Sequence, residues 1–124
     1  MKNRALALIL TLILALGAFA QDTPELVTPT YGQHFVPTTG TLFIWIPKPG
    51  YHNWVLQVAD NPALDNPLIE VQVTTTRYRF PGTLPAGTRL YWRVFYINDE
   101  GQRYHSGLGT FWTAPAIHYI EMLR

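Results

Sequence analysis

The chain has 124 residues, of which 48% are apolar, 14% aromatic and only 14% charged, with nine Lys plus Arg against eight Asp plus Glu. That balance excludes a disordered polymer, which is poor in aromatics and rich in charge, and the length suits one domain with a terminal appendage. The absence of cysteine excludes thiol nucleophiles, a disulfide framework and a lipid-attachment cysteine, so the fold has to rest on its hydrophobic core.

The first element reads as an export signal. Lys2 and Arg4 give a basic start, and Ala5 to Ala20 (ALALILTLILALGAFA) carry no charge. Ala18-Phe19-Ala20 has the small-x-small form of a cleavage site, which predicts a signal peptide over 1–20 and a mature chain from Gln21. The alternative is an uncleaved anchor, for which the run is short of the ~20 apolar residues a span requires. Removing Lys2 and Arg4 leaves seven basic groups against eight acidic ones. A chain so balanced lacks the concentrated basic face of a nucleic-acid binder. Exported, secreted, periplasmic or cell-surface placement is the expectation, and the lack of cysteines and Asn-x-Ser/Thr sequons suits a bacterial envelope.

Strand signals fill the rest. LVTPTYGQHFVPTTG (Leu26 to Gly40), with two prolines and two glycines, suits one irregular edge strand. TLFIWI (Thr41 to Ile46) is a strand ended by the turn PKPG (Pro47 to Gly50), and NWVLQVAD (Asn53 to Asp60) is the next. The loop NPALDNP (Asn61 to Pro67) leads to the alternating LIEVQV (Leu68 to Val73) and to TTRYRF (Thr75 to Phe80). PGTLPAGT (Pro81 to Thr88) links to the longest strand, Arg89 to Ile97. NDEG (Asn98 to Gly101) reverses the chain into a last strand, RYHSGLGTFWT, from Arg103 to Thr113. Seven strands with close turns and no helical period predict an all-β, seven-stranded antiparallel β-sandwich.

LFIWIPKPGYHNWVLQVADNP followed by TLPAGTRLYWRVFYINDEG resembles a fibronectin type III-like domain of bacterial extracellular proteins. Trp45, Pro47, Gly50, Trp54, Leu56, Val58, Leu84, Gly87, Thr88, Tyr91, Trp92, Arg93, Val94 and Phe111 carry the likeness, which runs from Val27 to Thr113. The resemblance implies a domain over 21–113 and places Phe43, Trp45, Trp54, Leu56, Val58, Leu90, Trp92, Val94 and Phe111 in the core, with Tyr96 inward as well. It departs from the family at Leu90, where a corner tyrosine often stands, so the tyrosine-corner hydrogen bond is expected to be missing. Such modules host many functions, so the likeness is nearly silent on activity.

Catalysis finds little support. Ser106 follows His105 directly, and strand neighbours point to opposite faces, so they make no nucleophile and base pair. The histidines His34, His52, His105 and His118 lack metal-ligand spacing. Asp60, Asn61, Asp65 and Asn66 offer oxygens for calcium, but Asn-Pro is a common turn starter and the spacing is not that of an EF-hand. No cofactor, metal or enzymatic activity is expected.

Surface recognition remains. With Trp92 and Val94 inward, Tyr91, Arg93, Phe95 and Ile97 point outward, joined by Val55 and Gln57 on one side and Thr110 and Trp112 on the other. An apolar patch of Tyr91, Phe95, Ile97, Val55 and Trp112 around Arg93 is the expected partner-binding face. The expected partner is an extracytoplasmic protein or polysaccharide, as for an adhesion module. The alternative is a structural envelope subunit forming a homo-oligomer through the same face or through the tail. Membrane contact is expected only through an uncleaved N-terminal segment. The tail APAIHYIEMLR (Ala114 to Arg124) is apolar enough to dock, either back on its own domain or on a partner.

Overall fold

The computed structural model describes residues 23–47 and 53–116. The signal segment over 1–20, residues 48–50 of the PKPG turn and the tail from 117 onward lie outside the described residues, as do His52 and His118. Within them the protein is all-β: β1 (Glu25–Thr28), β2 (Gln33–Val36), β3 (Leu42–Ile46), β4 (Trp54–Ala59), β5 (Ile69–Val73), β6 (Arg77–Arg79), β7 (Arg89–Ile97), β8 (Arg103–His105) and β9 (Gly109–Thr113). A three-stranded sheet has the order β1-β3-β6, and a six-stranded sheet the order β2-β9-β7-β4-β5, with β8 pairing β7 beyond β9. All pairings are antiparallel except β2 with β9, which is parallel.

These nine strands correct the expectation of seven. Two segments read as single strands are each divided. In the first, Pro29 has no amide hydrogen to offer a ladder and Gly32 turns at φ +78°, so the chain leaves one sheet as β1 and enters the other as β2. In the last, Ser106 to Leu108 leave the ladder between β8 and β9. The Ser106 hydroxyl accepts from Val94 N at 3.0 Å and donates to Gly107 O at 2.8 Å, while Ser106 N donates to Val94 O at 2.8 Å. The interruption therefore leaves no buried amide orphaned on β7 at Val94.

One core lies between the sheets. Phe43 and Trp45 enter from the smaller sheet; Trp54, Leu56, Val58, Leu90, Trp92, Val94, Tyr96 and Phe111 enter from the larger, and all are almost completely buried. Rings meet across the gap edge to face, Phe43 with Trp92 at 5.2 Å and Trp45 with Trp54 at 6.4 Å between centroids. Pairs in this geometry add about 0.5–1.5 kcal/mol beyond burial of area.

The corner before β7 is held without a tyrosine. Leu90 packs in the core. The hydroxyl of buried Thr113, on β9, donates to Pro85 O at 2.6 Å and accepts from Thr88 N at 3.0 Å. Gly87 sits at φ +57°, and its N–H donates to Ala114 O at 2.9 Å. A threonine on the last strand thus does from the side what a tyrosine hydroxyl does elsewhere. Ala114 is tied in again, its N–H donating to Val36 O at 2.8 Å, so the start of the apolar tail lies against its own domain.

Candidate functional site

The outer face of the six-stranded sheet is ordered by register. Val55, Gln57 and Ala59 on β4 stand opposite Phe95, Arg93 and Tyr91 on β7; Glu70 and Gln72 on β5 stand opposite Gln57 and Val55. On the other side of β7, Trp112 and Thr110 of β9 oppose Arg89 and Tyr91, and His105 and Arg103 of β8 oppose Phe95 and Ile97. Strand alternation puts these side chains away from the core. The candidate residues Tyr91, Arg93, Phe95, Ile97, Val55 and Trp112 therefore share one face.

They do not form an open apolar patch. Phe95 is only 3% exposed, which corrects its place as a contact residue. The ring of His105 packs on it at 5.0 Å, and the Arg103 guanidinium lies 4.8 Å over its centroid. Gln57 and Thr110 are buried as well. Ile97, at 47% exposed, stands at the far end of the strand, and Val55, Tyr91, Arg93 and Trp112 are half-buried.

Guanidinium groups cover the rings. Arg89 lies 4.7 Å from the Trp112 centroid and 5.1 Å from that of Tyr91, with its Nε donating to Thr110 Oγ1 at 3.1 Å. The His34 ring stacks on Trp112 at 4.6 Å with an interplanar angle of 3°, and Phe35 lies 6.4 Å further out. A continuous π row, Phe35, His34, Trp112, Arg89 and Tyr91, thus crosses from β2 to β7. Beside it, Arg93 Nε donates to Gln57 Oε1 at 2.8 Å, and Gln57 Nε2 donates to Glu70 Oε1 at 2.9 Å, a polar row over three strands. Arginine suits both rows, because its flat, weakly hydrated head stacks on rings while its stem covers apolar surface.

The sequence reading did not single out Arg89, Arg103, His34 and His105 for this face. Arg89 shares its parity with Tyr91 and Arg93, so alternation alone could have found it. His34 and Arg103 arrive through strand pairings. His105 is held with Nδ1 buried and without a hydrogen-bond partner. Burial first, then the nearby Arg93 and Arg103 charges, lower its pKa below the ordinary 6.5 and keep it neutral.

Other places offer less chemistry. The Ser106 hydroxyl is engaged with backbone on both sides, as described. In the loop after β4, Asn61 closes on Asp65 through two hydrogen bonds of 2.8 and 3.0 Å, with Leu64 and Asn66 at positive φ. That loop braces itself through the Asn61 amide, the Asp60 carboxylate and the Asp65 backbone, as an Asn-Pro turn does. No group of three or more His, Asp or Glu side chains converges for a metal among the described residues. A cleft of about 420 Å³ opens between the start of β1 and residues 107–109, lined by Pro24, Leu26, Pro29, Tyr31 and Leu108 among others, with Glu25 its one carboxylate.

A solved α-L-rhamnosidase from Dictyoglumus thermophilum contains a region of similar fold. It aligns with a TM-score of 0.56 and 17% identity over 75% of this chain, and this chain spans 12% of that one. At that identity the likeness concerns the fold alone. No family model and no curated protein matches the sequence.

Proposed function

We propose that this chain is a non-catalytic, exported module of the fibronectin type III-like kind, which binds a protein or polysaccharide partner outside the cytoplasm through the outer face of its six-stranded sheet. The strand order supports the family. With β8 and β9 counted as one segment, β1, β3 and β6 oppose β4, β5, β7 and the β8–β9 segment, while β2 crosses over to pair with β9. The observation that carries the function is the π row from Phe35 to Tyr91, held by ring stacking and by the Arg89–Thr110 hydrogen bond rather than by the core. Aromatic and arginine side chains fixed in this way make contact at little entropic cost, as binding surfaces require.

The test is co-sedimentation of the full-length chain with insoluble cell-wall polysaccharide and with envelope proteins. Tyr91→Ala combined with Trp112→Ala should keep the far-UV circular dichroism spectrum and lose retention. Retention equal to that of the parent chain would remove the face from the function.

A second reading, a self-associating structural subunit, is favoured by one feature. β2 is an edge strand; Tyr31, in the turn before it, and Phe35, within it, are 77% and 74% exposed, the latter at φ +58°. A non-glycine residue at positive φ with a large exposed ring is unusual and singles out this edge as a candidate contact. Light scattering decides this reading: mass should rise with concentration, and Phe35→Gly should abolish the rise.

A further inference from the structure

We infer that the same face recognises an anionic polysaccharide, one whose sugars carry carboxylate groups, through three arginine forks, two on β7 and one on the neighbouring β8. The inference rests on the proposed recognition face and names its ligand class. Arg89, Arg93 and Arg103 all project from this face, and none is ion-paired with a described residue. Glu70 is the one carboxylate that the register places among them, and it is engaged by Gln57 Nε2.

Their hydrogen bonding is polarised. Arg89 and Arg93 each spend Nε on a neighbour, Thr110 Oγ1 and Gln57 Oε1, and their terminal amino groups have no hydrogen-bond partner among the described residues. Arg103 makes no side-chain hydrogen bond among the described residues and is held by its stack on Phe95. A guanidinium anchored at its root or its plane, with its forked end open, is prepared for bidentate binding of a carboxylate. The anchors also remove part of the rotamer entropy that a long exposed side chain would lose on binding.

Spacing favours a polymer. Arg89 and Arg93 are four residues apart on one strand, and Arg103 sits at the rung of Ile97, four residues further on. The Arg89 and Arg93 backbone positions are thus about 13 Å apart along an extended strand, and the Arg103 guanidinium lies back over Phe95, two residues beyond Arg93. A linear chain with a repeated carboxylate can engage all three at once, whereas a small anion meets one. The class of polymer follows from what lies between the forks. Tyr91 and Trp112 are half-buried with Arg89 lying over both rings, a flat and weakly hydrated surface that suits the apolar face of a sugar ring. An acidic peptide would look for a pocket for an apolar anchor, and the one large ring at the centre, Phe95, is closed beneath Arg103 and His105.

The test is binding of the full-length chain to polygalacturonate at low salt, with fully methyl-esterified polygalacturonate, poly-glutamate and single-stranded oligothymidine as comparisons. Polygalacturonate should bind, weaken as salt rises, and bind more tightly than the other three. R89Q/R93Q/R103Q should lose roughly tenfold or more in affinity, as three exposed charge pairs would, and R77Q, on the opposite sheet, should lose nothing. R103Q alone removes a side chain with no hydrogen bond and guards against a triple variant that misfolds; it should weaken binding on its own. Equal binding of the esterified polymer, or an unchanged affinity in the triple and R103Q variants, would overturn the anionic ligand while leaving the aromatic face as a recognition surface. Tighter binding of poly-glutamate or oligothymidine would overturn the sugar. Loss of polygalacturonate binding in Tyr91→Ala/Trp112→Ala but not in the arginine variants would support the face and sink the forks.

Discussion

Gly109 shows how closely one residue can be constrained. A Cβ at this position would come within 2.6 Å of Trp92 Nε1 and 2.9 Å of Leu26 Cδ1, both on side chains packed in or against the core. Gly109→Ala is therefore expected to destabilise the protein by about 1–3 kcal/mol, the usual cost of overpacking, read as a shift in the urea midpoint. Thr113→Val tests the corner. It keeps the shape and strands Thr88 N–H and Pro85 C=O, so a loss of about 1–3 kcal/mol is expected. His105 gives the pH dependence. Its folded-state pKa lies below its ordinary 6.5, so the fold favours the neutral ring. The contribution is fully present above pH 6.5 and is lost as pH falls through the lowered value. Urea midpoints should therefore drop on acidification in the parent chain, and the drop should be smaller in His105→Phe. An equal drop in both would assign the acid sensitivity to other groups.

At the scale of elements, β8 is the strand that decides what the outer face presents. It is three residues long, and it is placed by the hairpin from Asn98 to Gln102. Asn98 Oδ1 accepts from Glu100 N at 3.0 Å and Gln102 N at 2.8 Å, and Gly101 takes φ +82°, a conformation that glycine adopts freely. Asn98→Ala should loosen this turn at a cost of about 1 kcal/mol and uncover Phe95. Faster hydrogen exchange at the amides of β8, with the amides of β4 unaffected, is the expected signature.

For the whole molecule, stability depends on the aromatic layer between the sheets. Trp92 touches Phe43 across the gap and Gly109 along its own sheet. Trp92→Ala should cost about 3–5 kcal/mol, a large share of the roughly 5–15 kcal/mol that holds a typical domain folded. Urea unfolding monitored by fluorescence and by circular dichroism should shift together, and a parent-like midpoint would contradict a single shared core.

Much of this arrangement is written in local sequence. The β-rich segments and the turns between them specify an all-β chain; the fibronectin-like resemblance puts Leu90, Trp92, Val94 and Tyr96 on the core side of β7, and the burial pattern agrees. The shared face of Tyr91, Arg93 and Phe95 follows from the same parity. Parity cannot say how open a face is. Phe95 is closed because β8 lays His105 and Arg103 across it, and Trp112 is stacked because β2 crosses between sheets to bring His34 alongside. The division of the first and last strand segments is likewise set by partners far away in the chain, through the pairing of β2 with β9 and of Ser106 with Val94. Strand direction and facing are properties of neighbouring residues, fixed by backbone stereochemistry. Cover and access depend on which distant strands pair, and so only the folded molecule decides them.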